Sequence, residues 1–124
     1  KRIDDESELT NSNVVKVVVD RNGYAIYFSR YAIPYNRTGE EDKRKRPVYF
    51  KHIGLYAFTK DFLFTFRNFQ ESSLEKAEKL EQLRVLEYGY KIKTVETKFD
   101  TIGVDTPDDL VRVKEILLRG DGGE

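Results

Sequence analysis

Apolar and polar residues alternate along the first half of the chain in the way that strands require. Runs rich in β-branched and aromatic residues predict strands at 14–20 and 24–30. The Asn-Gly pair at 22–23 lies between them and is a strong hairpin signal. A third run, at 48–58, predicts another strand with a glycine inside it.

Helical spacing of apolar residues dominates the second half. Thr59 is suited to cap a short helix through Phe66. Ser72, with Glu75 in capping-box register, predicts the start of a longer helix that ends before Gly89. Two short strands and a last helix complete the pattern, at 90–97, 99–104 and 107–119. Because strands and helices are mixed, the fold class is α/β or α+β.

Composition limits the functional classes. The 124 residues fit one domain or part of one, and 22 basic residues balance 22 acidic ones. This neutrality argues against nucleic acid and does not favour a membrane surface, so the charged stretch 36–47 is interpreted as a solvated loop. The absence of cysteine excludes thiol chemistry. Without a visible membrane span or signal peptide, a cytoplasmic protein is expected. The polar residues 1–13 are interpreted as a solvated lead-in, and residues 120–124 as a flexible tail.

One carboxylate near the last helix has no role in starting that helix. In the stretch TIGVDTPDDL, Thr106 is a good N-cap, Pro107 suits the first helical position, and Asp108 and Asp109 favour the positive helix end. Asp105 lies outside the cap, after a short apolar run. Two interpretations stay open: Asp105 holds a metal ion, or it closes the corner as an Asx-turn.

The helix predicted at 72–88 places charges on its apolar side. Glu81 and Arg84 are three residues apart and project into the apolar arc. Burying such charges without partners is expensive. They therefore form either a buried structural pair or part of a polar ligand site. Gln82 is off the arc, so spacing alone does not assign it.

The third predicted strand carries an unusual row of side chains. Alternation places His52, Tyr56 and Phe58 on one face together with Gly54, a set that suits a sugar or an anion. A lone histidine is also common as a structural residue. Arg30, at the end of the second strand, either grips a carboxylate bidentately or pairs with a surface acid.

Four motifs in register carry a family resemblance. YFSRYAIPY, HIGLYAF, LEKAEKLEQLRVLEYGYKI and GVDTPDDLVRVKEIL occur in this order, over about residues 13–117. The chain resembles the carboxy-terminal half of the 3-deoxy-manno-octulosonate (Kdo) cytidylyltransferases, or CMP-Kdo synthetases. The resemblance implies an α/β nucleotidyltransferase fold with a mixed sheet, CTP and Kdo as substrates, and CMP-Kdo and pyrophosphate as products for lipopolysaccharide biosynthesis. It also implies magnesium and a homodimer.

Site residues follow from the same resemblance. Asp105 would bind magnesium and take part in catalysis, and five residues would bind the sugar acid: Arg30, His52, Tyr56, Glu81 and Gln82. Arg84 would then support Glu81. The whole of 1–124 is expected to form the carboxy-terminal half of one nucleotidyltransferase domain, which serves sugar binding and dimerisation.

The family's amino-terminal half carries a CTP phosphate loop and another metal-binding aspartate, and neither has a counterpart in these 124 residues. The 124 residues alone are therefore expected to be inactive. Two alternatives remain: a cytidylyltransferase for another acid sugar such as a sialic acid, and a non-catalytic sugar-acid-binding or dimerisation module.

Overall fold

The computed structural model describes residues 1–37, 47–99, 101, 103–104 and 107–119. Three strands and five helices are assigned within these ranges. In chain order they are α1 (Glu6–Thr10), β1 (Lys16–Val19), β2 (Ala25–Ser29), β3 (Phe50–Lys51), α2 (Lys60–Arg67), α3 (Ser73–Glu78), α4 (Gln82–Glu87) and α5 (Pro107–Arg119). Strands and helices are thus mixed, as predicted.

A small antiparallel sheet organises the first half, in the order β2-β1-β3. The hairpin predicted around Asn22-Gly23 is confirmed, because β1 pairs with β2 and Gly23 has a φ of 74°, which glycine adopts without strain. The register shifts between Val18 and Val19. On the other side, Val17 pairs with Phe50 of β3.

The prediction of a long third strand at 48–58 is wrong except for Phe50 and Lys51. Only Phe50 and Lys51 pair with β1, after which the His52 N–H donates to the Val15 carbonyl at 2.8 Å. The chain then turns at Gly54, where the Leu55 N–H donates to the Ile53 carbonyl at 2.7 Å. Strand-forming residues need a neighbouring strand to pair with, and β1 is too short to provide one.

The single helix predicted at 72–88 is also wrong, because it is two helices. Lys79, between α3 and α4, adopts the left-handed conformation with φ 54° and ψ 48°. Leu80 and Leu83, on the two sides of the start of α4, both become buried. Burial of these leucines offsets the conformational cost of the break. The capping box of Ser72 and Glu75 is present, and Gly89 follows the end of α4 with φ 80°.

The remaining elements divide between confirmed and altered predictions. Thr59 caps α2 through the Phe62 N–H, and the last helix is present as α5. The strand predicted at 90–97 is wrong, since it is reduced to an isolated bridge between Tyr24 and Lys93. The described residues of 99–104 are not in a strand. The lead-in contains α1, which the sequence pattern did not predict; Asp5 caps it by accepting from the Ser7 N–H.

Most of the charged loop at 36–47 and the tail at 120–124 lie outside the described residues, and so does Thr106.

The core forms where the hairpin meets the break between α3 and α4. Its buried members are Val17, Ala25, Phe28, Leu80 and Leu83. In the part of the chain that is described, no helix has the length and apolar character needed to cross a membrane.

Candidate functional site

A continuous row of rings connects the sheet to the helices. The His52 ring packs edge-on against Phe28 and also lies 5.2 Å from the Tyr56 ring. Tyr56 stacks on Phe58, which in turn stacks on Phe66 of α2. Although residues 52–58 are not a strand, the side chains predicted to share one face therefore do lie together. Aromatic packing rather than sheet pairing holds them.

The next link in this row is a charged residue of α4. The Arg84 guanidinium lies over the Phe66 ring, 5.0 Å from its centroid. Its main partner is Glu75 of α3, with N–O distances of 2.7 and 2.5 Å, a bidentate pair in which the side chains are only 17% and 9% exposed. The Glu81 carboxylate is 3.7 Å away and 69% exposed. The predicted buried Glu81–Arg84 pair is therefore wrong. The break at Lys79 shifts the helical phase, so the charge buried against Arg84 is Glu75.

Glu81 is placed where it can meet a ligand. Its side chain is open to solvent at the start of α4, and its charge acts on Tyr56. Burial is the larger reason that the pKa of the Tyr56 phenol is raised, and the negative charge of Glu81 raises it further. Tyr56 is therefore a protonated hydrogen-bond donor at neutral pH. Residues 52–56 and the start of α4 thus interact electrostatically.

Two buried side-chain nitrogens in this region have no hydrogen-bond partner among the described residues. They are His52 Nε2 and Gln82 Nε2. Buried polar atoms are paired in the great majority of cases, so each exception calls for an explanation such as a ligand. Both residues were assigned to sugar binding by the resemblance, and Gln82 could not have been chosen from helix spacing.

The buried imidazole predicts a pH effect on stability. Burial lowers the pKa of His52 below its usual 6.5, so the folded chain favours the neutral ring. Below about pH 6.5, the unfolded chain therefore binds a proton at His52 more readily than the folded chain does. The free energy of unfolding then falls as the pH falls, by at most about 1.4 kcal/mol per pH unit. We expect the urea midpoint to drop more between about pH 7.5 and 5.5 for the wild type than for His52→Gln. Parallel pH dependences for the two proteins would contradict this expectation.

Arg30 occupies a different position. Its guanidinium donates to three backbone carbonyls, those of Glu78 at 2.8 Å, Ser12 at 3.1 Å and Lys79 at 3.3 Å. It also lines an open cavity of about 690 Å³, and none of the other predicted sugar-binding residues is among the described residues that line this cavity. The guanidinium thus contacts backbone carbonyls and not a surface acid among the described residues, whereas the carboxylate grip stays a prediction. Its assignment to the sugar acid stays a prediction.

The metal site cannot be built from the described residues. Asp105 lies outside them, and within them no group of three or more Asp, Glu or His side chains is arranged to hold a metal ion.

Three important polar residues were missed from the sequence. Glu75 was assigned only to a capping box, while Lys16 and Glu78 received no role. Lys16 is fully buried, and its ammonium donates to the carbonyls of Asn11, Val14 and Arg30. Sequence patterns do not reveal these roles, because the contacts of Glu75 with Arg84, of Lys16 with Arg30 and of Glu78 with β2 depend on the break at Lys79 or on the meeting of separate elements.

Comparison with known proteins identifies the class. The family model described as cytidylyltransferase matches residues 1–93. The chain belongs to the cytidylyltransferase family.

Within that family, two similar relatives share one enzyme name. The 3-deoxy-manno-octulosonate cytidylyltransferase of Solibacter usitatus (strain Ellin6076) is 48% identical over 98% of this chain and 48% of its own length. The enzyme of the same name from Syntrophotalea carbinolica (strain DSM 2380 / NBRC 103641 / GraBd1) is 56% identical over 91% of this chain and 46% of its own. The resemblance predicted from the four motifs is confirmed.

A solved structure agrees with these relatives. The structure of CMP:2-keto-3-deoxy-manno-octonic acid synthetase complexed with CTP matches with a TM-score of 0.85 and 38% identity, covering 96% of this chain and 47% of that one. The fold is therefore a mixed α/β part of this synthetase fold. The chain spans about half the length of the relatives it matches.

Proposed function

We propose that this chain is the sugar-acid-binding part of an enzyme that transfers CMP from CTP to Kdo, releasing pyrophosphate. CMP-Kdo made in this way serves lipopolysaccharide biosynthesis in the cytoplasm. The names of the relatives support Kdo as the acceptor, and the CTP complex of a related synthetase supports the nucleotide.

The observation that carries the proposal is the pair of unpartnered buried nitrogens, on His52 and Gln82, within the described part of the chain. They lie on two separate segments, and Tyr56 and Glu81 connect these segments electrostatically. A sugar acid offers hydroxyl and carboxylate oxygens that can satisfy both nitrogens. Such a site rejects a sugar without matching groups, because its buried polar atoms would then stay unpaired.

Each residue has a distinct task in this proposal. Glu81 accepts hydrogen bonds from sugar hydroxyls, and Gln82 donates its amide N–H to a sugar oxygen. Neutral His52 and protonated Tyr56 orient the acid group. Positioning is the main contribution that a protein makes to such transfers. The oxygen of the anomeric hydroxyl bonds to the α-phosphorus of CTP, the bond from that phosphorus to pyrophosphate breaks, and the hydroxyl proton passes to solvent.

Two residues are assigned from the family resemblance alone. On that basis, Asp105 binds magnesium and Arg30 lies at the edge of the sugar site.

The rest of the enzyme would supply the phosphate loop for CTP, and a second copy would complete a homodimer. Large apolar side chains are exposed on several segments, and packing against the rest of the enzyme or a second copy would remove this apolar area from water. Examples on separate segments are Leu55, Phe64, Val95, Phe99 and Leu118.

The direct test is pyrophosphate release by full-length enzyme containing this chain, with CTP, magnesium and a panel of acceptors. We expect release with Kdo and none with an uncharged sugar. Preference for a sialic acid would support the alternative cytidylyltransferase instead. Binding of Kdo without transfer would indicate a non-catalytic module. The 124-residue chain alone should release no pyrophosphate. Release by this chain would contradict the proposal that the rest of the enzyme supplies the phosphate loop for CTP.

Replacing Glu81 tests the site itself. We expect Glu81→Ala to raise the KM for Kdo by about ten-fold or more, because hydrogen bonds to a charged group are lost. The KM for CTP should change little. Stability should also be nearly unchanged, since the carboxylate is exposed and 3.7 Å from Arg84. Glu96→Ala, which removes another exposed carboxylate, is the matched control. An effect confined to CTP would contradict the assignment.

A further inference from the structure

Glu78, the last residue of α3, makes an unusual set of hydrogen bonds to the end of β2. One carboxylate oxygen accepts from the Ser29 hydroxyl at 2.7 Å and from the Tyr27 phenol at 3.3 Å. The other oxygen accepts from the Arg30 N–H at 2.9 Å. The side chain of Glu78 thus joins the helix to three residues at the end of the strand. Its contact with Arg30 is with the backbone N–H and not with the guanidinium, which the proposed function places at the edge of the sugar site.

The backbone of the same corner is held from the opposite direction. The Arg30 guanidinium donates to the carbonyls of Glu78 and Lys79, at 2.8 and 3.3 Å. The Arg30 carbonyl in turn accepts from the buried Lys16 ammonium at 2.5 Å. The corner between α3 and α4 is therefore fastened to the sheet through both its side chain and its backbone.

This corner directly precedes Glu81 and Gln82, the two sugar-binding residues proposed at the start of α4. Glu81 and Gln82 lie three and four residues after Glu78, between the buried Leu80 and Leu83. With the leucines held in the core and Glu78 held by β2, the start of α4 has little freedom to rotate. Burial by itself would raise the pKa of Glu78. The hydrogen bonds to the carboxylate outweigh burial and leave that pKa below its usual value. The carboxylate is thus ionised when it makes these contacts at neutral pH.

We propose that Glu78 is a positioning residue for the sugar-acid site. It does not touch the sugar; it holds the corner so that Glu81 and Gln82 meet their ligand in the correct place. This inference rests on the proposed function, and it adds a determinant of sugar affinity that lies outside the site. Small displacements of binding groups have large kinetic effects, so the role is measurable.

The test is Glu78→Gln in full-length enzyme containing this chain. The amide has nearly the same size, but its NH₂ group cannot accept a hydrogen bond, so at least one contact with β2 is lost. We expect the KM for Kdo to rise by about ten-fold, while kcat and the KM for CTP change less than about two-fold. In the double variant with Glu81→Ala, the KM for Kdo should rise by less than the product of the two single effects, because Glu78 acts in part through Glu81.

Glu87→Gln is the matched structural control. The Glu87 carboxylate accepts from the Ser73 hydroxyl at 2.7 Å and the Leu74 N–H at 2.9 Å, at the other end of α3. It should lower the urea midpoint without changing the KM for Kdo. If Glu78→Gln does not fold, Ser29→Ala removes one donor to the same carboxylate and should raise the KM for Kdo by a smaller factor.

The outcomes separate the two proposals. Equal KM values for Kdo in the wild type and Glu78→Gln, or additive effects in the double variant, would overturn the positioning role while Glu81→Ala still defines a sugar site. An unchanged KM for Kdo in Glu81→Ala would overturn the sugar site itself, and the positioning role with it.

Discussion

Arg84→Met should destabilise the protein by about 3–5 kcal/mol, the largest loss that we expect from a single substitution. The whole Glu75 residue is only 7% exposed. Arg84 supplies both N–H donors of a bidentate pair with the Glu75 carboxylate. Without the guanidinium, this buried carboxylate keeps the Ser72 N–H, at 3.1 Å, as its remaining donor among the described residues. The methionine would still pack against Phe66 but could not neutralise the charge. Urea unfolding at neutral pH measures the loss.

The matched control is Lys76→Met on the same helix as Glu75. Lys76 lies 3.9 Å from Glu71, and the two side chains are 59% and 52% exposed. Exposed pairs contribute about 0–1 kcal/mol, so this variant should unfold almost like the wild type. Equal midpoints for Arg84→Met and Lys76→Met would show that the buried pair does not stabilise the fold.

Acid should remove the advantage of the wild type over Arg84→Met. The hydrogen bonds from Arg84 hold the pKa of Glu75 below its usual 4.5. A carboxyl whose folded pKa is lowered adds stability above the unfolded pKa and loses it as the pH falls through the folded value. The difference in urea midpoint between the two proteins should therefore be constant near neutral pH and shrink below about pH 4.5.

Lys16→Met is the second large effect that we expect, with a loss of about 3 kcal/mol. The Lys16 ammonium donates to three carbonyls, at 2.9 Å from Asn11, 2.6 Å from Val14 and 2.5 Å from Arg30. Methionine keeps most of the apolar stem but leaves these carbonyls without their donor. Burial lowers the pKa of Lys16, so the carbonyls do not fully offset the lost hydration. For that reason the expected loss is smaller than three separate charged hydrogen bonds would suggest.

Lys60→Met controls for the loss of a lysine charge. Lys60 is exposed at the first position of α2, where a positive charge is slightly unfavourable to the helix. This variant should unfold at the same urea concentration as the wild type, or slightly higher. If Lys16→Met also unfolded at the wild-type urea concentration, the buried ammonium would not be required for the stability of the fold.

Two kinds of feature could be identified from the sequence, for different reasons. The Asn22-Gly23 hairpin, the Thr59 cap and α5 depend on neighbouring residues alone, and all three are confirmed. The family was identified because its four motifs lie in a specific order along the chain. The assignments of His52, Tyr56, Glu81 and Gln82 follow from that resemblance, and they stay predictions whose geometry the structure makes testable.

Neighbouring residues alone specify the Asn22-Gly23 hairpin, the Thr59 cap and α5, and the order of four motifs identifies the family. The division of residues 72–88 into two helices depends on tertiary packing, because burial of Leu80 and Leu83 outweighs the cost of a left-handed Lys79. That break pairs Arg84 with Glu75, leaves Glu81 in solvent and brings Glu78 to β2. Such partnerships join residues on separate elements, and their energy depends on burial and distance, which local patterns do not contain.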